Sequence, residues 1–314
     1  MKVISIIVPC YNESSAIPIF FRETETVRNN NFPFVDFEYI FVDDGSNDDT
    51  VSEIKKLSKE GIGVRFISFS RNFGKEAAML AGLERATGDY IAIMDVDLQD
   101  PPSLLPVMYD ALAKEGYDQA ATRRADRKGE PFLRSLFSKM FYGIMKRISN
   151  VDVVSGARDF RLMKRCVADA VLSLPEKSRY SKGIFNYVGY KTKWISYDNI
   201  ERSAGETKWS FKELFKYAVL GFTSFSSVPL YLSLFVGIVF CAVAFGLMFP
   251  FLITSEITYL MISLLLFTSG MILVSVGVTG RYVAHIFEES KKRPLYIVRA
   301  TEKDFKNEKR ESDI

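Results

Sequence analysis

The stretch Tyr90-Ile91-Ala92-Ile93-Met94-Asp95-Val96-Asp97-Leu98-Gln99-Asp100-Pro101-Pro102 decides how the rest of the chain is read. Its short apolar run has the composition of a buried strand, which delivers two carboxylates, Asp95 and Asp97, at its C-terminal end. Alternate residues of an extended chain face the same way, so both carboxylates can meet one hard cation. Pro101 and Pro102 end the strand, and Pro102 suits the first turn of a following helix. Ligands of open α/β sheets bind beyond the carboxyl ends of the strands, which is where a metal-bound phosphate would sit. Asp-x-Asp alone is about as common in surface turns, so the distinction rests on what surrounds it.

Upstream, residues 2–8 read as a buried strand closed by Pro9-Cys10-Tyr11-Asn12-Glu13, and a helix is expected over about 15–29. A second strand, 37–42, ends in Asp43-Asp44-Gly45-Ser46-Asn47-Asp48-Asp49-Thr50. Asp48 and Asp49 suit the capped, acidic start of a helix, while Asp43 and Asp44 at the strand tip are placed to accept hydrogen bonds from a ligand. Strand 64–69 leads into Arg71-Asn72-Phe73-Gly74-Lys75 and a helix to about Thr87; a further strand covers 119–122. Strands alternating with helices imply an α/β domain with a mostly parallel sheet and helices on both faces.

The formal net charge is +3, from 41 basic and 38 acidic residues, so nothing global points to nucleic acid. Three cysteines, Cys10, Cys166 and Cys241, match no metal or redox spacing and suit a reducing compartment. The N-terminal strand lacks a signal-peptide layout. Two runs of 24 residues each, 230–253 and 257–280, carry no charge except where Glu256 and its neighbours separate them. A bilayer core needs about 20 apolar residues per helix, so both qualify as spans, a buried core hairpin being the alternative.

Four ordered motifs, Val8-Pro9-Cys10-Tyr11-Asn12-Glu13, Val42-Asp43-Asp44-Gly45-Ser46, Arg71-Asn72-Phe73-Gly74-Lys75 and Asp95 to Pro102, resemble those of the family-2 glycosyltransferases. The group they most resemble is the polyprenyl-phosphate glycosyltransferases, which contains bactoprenol (undecaprenyl-phosphate) glucosyltransferases and dolichol-phosphate mannose synthases. The resemblance implies a GT-A, Rossmann-like cytoplasmic domain, a nucleotide-sugar donor, Mg²⁺ or Mn²⁺, and inverting transfer to a polyprenyl phosphate. It implies that Pro9, Tyr11, Glu13, Asp43, Asp44, Arg71, Lys75 and Asp95 take part in nucleotide-sugar binding, and that Asp95, Asp97 and Gln99 hold the metal. Its candidate base is Asp159, where a small residue usually precedes the Asp and Arg158 stands here instead. Its closing loop over the donor diphosphate is matched by residues 201–210, with Arg202 and Lys208 as cations. UDP-glucose is the preferred donor by analogy with the bactoprenol subgroup.

Physical chemistry agrees with these implications. A nucleoside diphosphate leaves readily only when its charge is neutralised, and Mg²⁺ takes one or two carboxylates plus phosphate oxygens. A phosphate monoester has a second pKa near 6, so a polyprenyl phosphate needs little deprotonation at pH 7. Asp159 therefore orients the acceptor or completes the metal site as readily as it removes a proton. Residues 123–147 hold eight basic against two acidic side chains, suited to anionic lipid. Within them Arg134 and Ser138 are i, i+4 neighbours, and with Arg124 they resemble an acceptor-phosphate site.

The expected organisation is thus a catalytic domain over 1–207, an amphipathic juxtamembrane helix over 208–228, two membrane helices within 229–287 and a tail over 288–314. Phe211, Leu214, Phe215, Ala218, Phe222 and Phe225 share one helical face opposite Lys208, Lys212 and Lys216. Basic residues flank both spans, which places the catalytic domain and both termini in the cytoplasm of a multi-pass membrane protein. Gly237, Gly246, Gly270 and Gly277 allow close helix contact and a homo-oligomer through the hairpin. The tail from Thr301 is charged and is expected to be disordered. A processive polysaccharide synthase and a non-catalytic membrane scaffold are the rival classes, distinguished by a polymer product and by loss of metal binding.

Overall fold

The computed structural model describes residues 1–59, 63–124, 154, 156–174, 176–177, 179–197 and 257–304. The chain divides into two compact units, one holding the sheet and the segment from Pro294 onward, the other holding the long helix Ile257–Ser290.

In chain order the sheet unit contains β1 (Lys2–Cys10), α1 (Ala16–Asn31), β2 (Val35–Asp43), α2 (Thr50–Lys59), β3 (Val64–Phe69) and α3 (Lys75–Arg85). Next come β4 (Tyr90–Ile93), a 3₁₀ turn at Pro102–Leu104, α4 (Leu105–Ala113), β5 (Gln119–Arg124), β6 (Ala157–Lys164) and α5 (Arg165–Leu172). The last are α6 (Ser181–Tyr187) and β7 (Thr192–Tyr197), then, beyond α7 (Ile257–Ser290), strand β8 (Val298–Thr301). One eight-stranded sheet runs β7-β5-β6-β4-β1-β2-β3-β8.

The sheet is mostly parallel as expected, but it is mixed, with two of its eight strands reversed. β1 pairs in parallel with β2 and β4, β2 with β3, and β5 with β7. β6 runs antiparallel between β4 and β5, and β8 runs antiparallel along β3. The reversed strand β6 was hidden because Ala157-Arg158-Asp159-Phe160-Arg161-Leu162-Met163-Lys164 alternates too little to announce a strand. β8 was missed for a related reason: four residues in a charged segment become a strand only when an open edge supplies the hydrogen bonds. The expected disordered tail therefore starts later than Thr301, since Thr301 pairs with Ile67.

Two faces bury different residues, as the strand period of 2 requires. Ile4, Ile6, Val8, Tyr39, Phe41 and Phe66 pack with Ile17 and Phe20 of α1, Ile54 of α2 and Met108 of α4. On the other face α3 presses close to β1: a Cβ at Gly82 would stand 2.2 Å from Ile7 Cγ2. Fully buried aromatic and aliphatic side chains at these positions are each worth about 1.5–3 kcal/mol of transfer free energy.

Helix α7 spans 34 residues, roughly 51 Å at 1.5 Å per residue. Met261, Leu265, Ile272, Leu273 and Ile286 lie exposed along it. Among the described residues this is the one helix long and apolar enough to cross a membrane, the stretch Phe267–Ser290 having mean hydropathy 1.4. The expected first span, the amphipathic helix 208–228 and hence the two-helix hairpin lie outside the described residues.

Candidate active site

The strand directions bring the carboxyl ends of β1 to β5 and the start of β6 to one edge of the sheet. The strand order reverses at β1, between β2 and β4, which is the switch point where open sheets bind ligands. The described candidate site residues lie on that edge, at the ends of β1 and β2 and just beyond them, between β3 and the first turn of α3, after β4, at the end of β5, and in β6.

The loops are tied to one another before any ligand is considered. Asp43 Oδ1 accepts from Ser46 N at 2.9 Å and its Oδ2 from Ser68 Oγ at 2.6 Å. Asp44 Oδ1 and Oδ2 accept from Phe73 N at 2.6 Å and Gly74 N at 2.9 Å, and Asp44 N donates to Cys10 O at 2.8 Å. Burial pushes the Asp44 carboxyl up to about 6; the two N–H groups and Arg71 pull it down, while Asp43 adds to the rise. Asp43 and Asp44 are thus both buried, and their oxygens hold the loop after β2 against the one after β3. Gly45, at φ +70°, lets that approach happen, since a Cβ there would lie 2.4 Å from the carbonyl carbon of Arg71.

The loop after β1 joins the same assembly. Asn12, at φ +52°, donates its N–H to Ser46 Oγ at 2.8 Å and accepts from Asn47 N through Oδ1 at 2.8 Å. Glu13 N donates to Thr50 Oγ1 at 2.8 Å, and Asp48 caps α2 by accepting from Thr50 N at 3.0 Å. Pro9, Tyr11 and Glu13 are half-buried. Arg71 is exposed, its guanidinium carbon 4.2 Å from the centroid of the Phe73 ring.

After β4 the chain makes a tight turn. Gln99 N donates to Asp97 Oδ1 at 3.1 Å, and Leu98 between them has φ +56°. A branched side chain rarely adopts that conformation, and such strained positions gather at ligand clamps. Asp97 is 9% exposed. Gln99 Oε1 accepts from Arg158 Nη2 at 3.3 Å, and Asp100 Oδ1 accepts from Arg158 Nε at 3.1 Å and from Tyr197 Oη. Burial, only partly offset by Arg158, pushes Asp100 up to about 6. Its Oδ2 is buried with no hydrogen-bond partner among the described residues. Arg158, noted from the sequence only as a departure from the family pattern, therefore clasps the turn that carries the metal candidates. Tyr197 gave no signal, because nothing local marks a residue 97 positions away as the partner of Asp100.

Asp159 is joined to Asp95 through Lys75. β6 pairs with β4 so that Ile93 faces Arg161, and the same register continued two residues sets Asp159 opposite Asp95. Lys75 Nζ closes the gap, 2.5 Å from Asp159 Oδ2 and 2.7 and 2.9 Å from Asp95 Oδ1 and Oδ2. Burial opposes charge on both partners, yet each holds the other ionised: Lys75 is raised above its ordinary value and Asp159 lowered well below the usual carboxylate range. Arg161, 2% exposed, lies with its guanidinium carbon 3.7 Å from the centroid of the Phe185 ring, and its Nε donates to Asp159 O at 3.4 Å.

The donor set suits a hard divalent cation. Asp95, Asp97 and Gln99 offer oxygen only, and no group of three His, Cys, Asp or Glu side chains converges among the described residues. An ion held there would complete its shell with water and phosphate oxygens, as Mg²⁺ does. Arg124 ends β5 on the same edge of the sheet, whereas Arg134, Ser138, Arg202 and Lys208 lie outside the described residues.

Comparison with known proteins identifies the family. Residues 5–172 match the model of the glycosyl transferase family 2. CsbB of Bacillus subtilis (strain 168) is 40% identical over 95% of this chain and 91% of its own length. A prophage bactoprenol glucosyl transferase homolog of Escherichia coli (strain K12) is 38% identical over 96% of this chain and 99% of its own. A bactoprenol glucosyl transferase of Shigella phage SfX is 36% identical over 95% and 99%. Among solved structures, glucosyl-3-phosphoglycerate synthase from Mycobacterium tuberculosis aligns with TM-score 0.48 and 22% identity, over 69% of this chain and 76% of that one. No residue role passes from it to this chain.

Proposed function

The chain belongs to glycosyl transferase family 2 and is a glycosyltransferase, and on that premise we propose that it moves a hexose, glucose from UDP-glucose, onto a polyprenyl phosphate. The observation that carries the proposal is the meeting of the Asp95–Asp97 turn with Asp159 at the sheet's switch point, the two joined through Lys75. Nearly full-length similarity to bactoprenol glucosyl transferases favours the polyprenyl phosphate and glucose.

In this mechanism the loops after β1, β2 and β3 form the nucleoside side of the pocket, with Pro9, Tyr11, Glu13 and Arg71 facing it. Asp43 and Asp44 serve by holding those loops together, since their oxygens already accept hydrogen bonds within the protein. Asp95, Asp97 and Gln99 would hold Mg²⁺ or Mn²⁺, which when bound neutralises the departing diphosphate. Arg202 and Lys208 close over the same diphosphate. The acceptor phosphate, drawn by Arg124, Arg134 and Ser138, attacks the anomeric carbon opposite the leaving group and inverts it. Asp159 orients the acceptor; a phosphate monoester is already mostly ionised at pH 7 and needs no strong base. The catalytic domain works at the cytoplasmic face of a membrane, anchored by α7 together with the apolar run 230–253 and the amphipathic segment 208–228. That arrangement sets a lipid phosphate beside a soluble donor, and paired spans also suit a homo-oligomer.

The test is transfer of labelled sugar from a panel of UDP- and GDP-sugars to undecaprenyl phosphate in detergent, with and without Mg²⁺. Lipid-linked glucose formed only with metal, and lost in Asp97→Asn, supports the assignment. Polymer or protein-bound sugar in place of a lipid product overturns the acceptor.

A further inference from the structure

We propose that Lys75 is a positioning residue of the transfer reaction: its ammonium fixes the separation and charge of Asp95 and Asp159 and makes no contact with the donor. The inference rests on the metal reading of Asp95 and Asp97 given above. It differs from the family-based expectation, which counts Lys75 among the nucleotide-sugar contacts.

An ammonium has three N–H donors and no acceptor. Three carboxylate oxygens lie within 2.9 Å of Lys75 Nζ: Asp159 Oδ2, Asp95 Oδ1 and Asp95 Oδ2. Two of its N–H groups are engaged in hydrogen bonds, to Asp95 Oδ2 and Asp159 Oδ2, with Asp95 Oδ1 in ion-pair contact, so the ammonium is already committed to the two carboxylates. The backbone that carries Lys75 is equally fixed. Gly74 N is held by Asp44, and the Glu76 carboxylate on the far side accepts from Ser181 N at 3.1 and 3.2 Å and from Ser181 Oγ. Lys75 is also the first residue of α3, where the helix dipole disfavours a cation. Local helix energetics therefore give no reason for a lysine here, and the two carboxylates do.

The charges clarify what the bridge does. Lys75 joins Asp95 to Asp159, Arg158 pairs with Asp100, and Lys182 and Arg161 also bring positive charge toward Asp159. Without the ammonium, Asp95 and Asp159 would repel each other and draw the cation more strongly. The ion would then be held tightly by carboxylates rather than shared with the leaving diphosphate.

The experiment uses the full chain in detergent and reads free Mn²⁺ by electron paramagnetic resonance, UDP affinity by calorimetry in Mn²⁺, and sugar transfer. Lys75→Met is expected to bind Mn²⁺ at least as tightly as the wild type and UDP within about threefold. Its turnover should fall on the order of 100-fold, the scale of a misplaced reacting group. Lys75→Arg, which keeps the charge, should return Mn²⁺ affinity to the wild-type value and recover part of the rate. Lys75→Gln takes the place of the Met variant if that one fails to fold. Weaker UDP binding with turnover preserved at saturating donor would make Lys75 a nucleotide contact and overturn the proposal. Weaker Mn²⁺ binding in Lys75→Met would overturn it too. If the wild type itself binds no Mn²⁺ that Asp97→Asn abolishes, the metal reading fails first and the role of Lys75 falls with it.

Discussion

Replacing Gly45 by alanine tests whether the loops after β2 and β3 are held in contact as the site requires. The residue sits at φ +70°, and an added Cβ would meet the Arg71 backbone at 2.4 Å (carbonyl carbon), 2.7 Å (Cα) and 2.8 Å (oxygen). An L-residue in that left-handed conformation costs about 1–2 kcal/mol. The contact adds about 1–3 kcal/mol, because the obstacle is backbone and no side-chain rotation relieves it. The expected loss of unfolding free energy is therefore about 2–5 kcal/mol. Gly116 supplies the control: at φ +74° it has nothing within 4 Å of a built Cβ, so Gly116→Ala should cost only the conformational part, about 1–2 kcal/mol. Chemical denaturation of the two variants in detergent gives the difference directly. UDP affinity, measured in Mn²⁺, should weaken more than tenfold for Gly45→Ala, about 1.4 kcal/mol, and stay unchanged for Gly116→Ala. Equal destabilisation by the two substitutions would refute the reasoning, since the loops would then not be in contact at Gly45.

Further outcomes follow from the same geometry. Arg158→Ala strips a buried counter-charge from Asp100, which is 1% exposed, and should cost about 3–5 kcal/mol; the double variant with Asp100→Ala should recover part of that, read by denaturation. Asp44, raised to about 6 by burial, takes up its proton at higher pH in the folded protein than in the unfolded chain. Its contribution to stability is thus gained as pH falls from about 7 toward the ordinary carboxylate range and lost as pH rises through about 6. Asp43, Arg71 and the N–H groups of Phe73 and Gly74 are the groups facing it, so Asp44→Asn should remove this slope, and a slope of opposite sign in the wild type would contradict the assignment. Tyr296 stacks on Phe69 with centroids 4.8 Å apart and donates to Glu84, so Tyr296→Ala should cost about 2 kcal/mol and Tyr296→Phe about 1 kcal/mol. Denaturation curves indistinguishable from the wild type would mean that the segment before β8 does not hold to the sheet.

The sequence by itself determined the parallel half of the sheet and the loops that end its strands. Apolar runs such as Ile4 to Val8 and Tyr90 to Ile93 are local signals, and Pro, Gly and Asp punctuate them where each strand must stop. Five strands and the residues at their tips were therefore placed from local pattern, and the capping by Asp48 was visible because a cap acts on its own helix. The tertiary structure alone decided what those tips do to one another. Asp43 and Asp44 read as ligand acceptors from the sequence; only the fold shows that they also tie the loops together, because their partners Ser68, Phe73 and Gly74 lie 25 to 30 residues away. Lys75 meets Asp159 across 84 positions only because β6 runs back along β4, and Tyr197 meets Asp100 across 97. β8 becomes a strand only against the open edge of β3. In each case the deciding force is a hydrogen bond or an ion pair between distant segments, which has no local period for a sequence to carry.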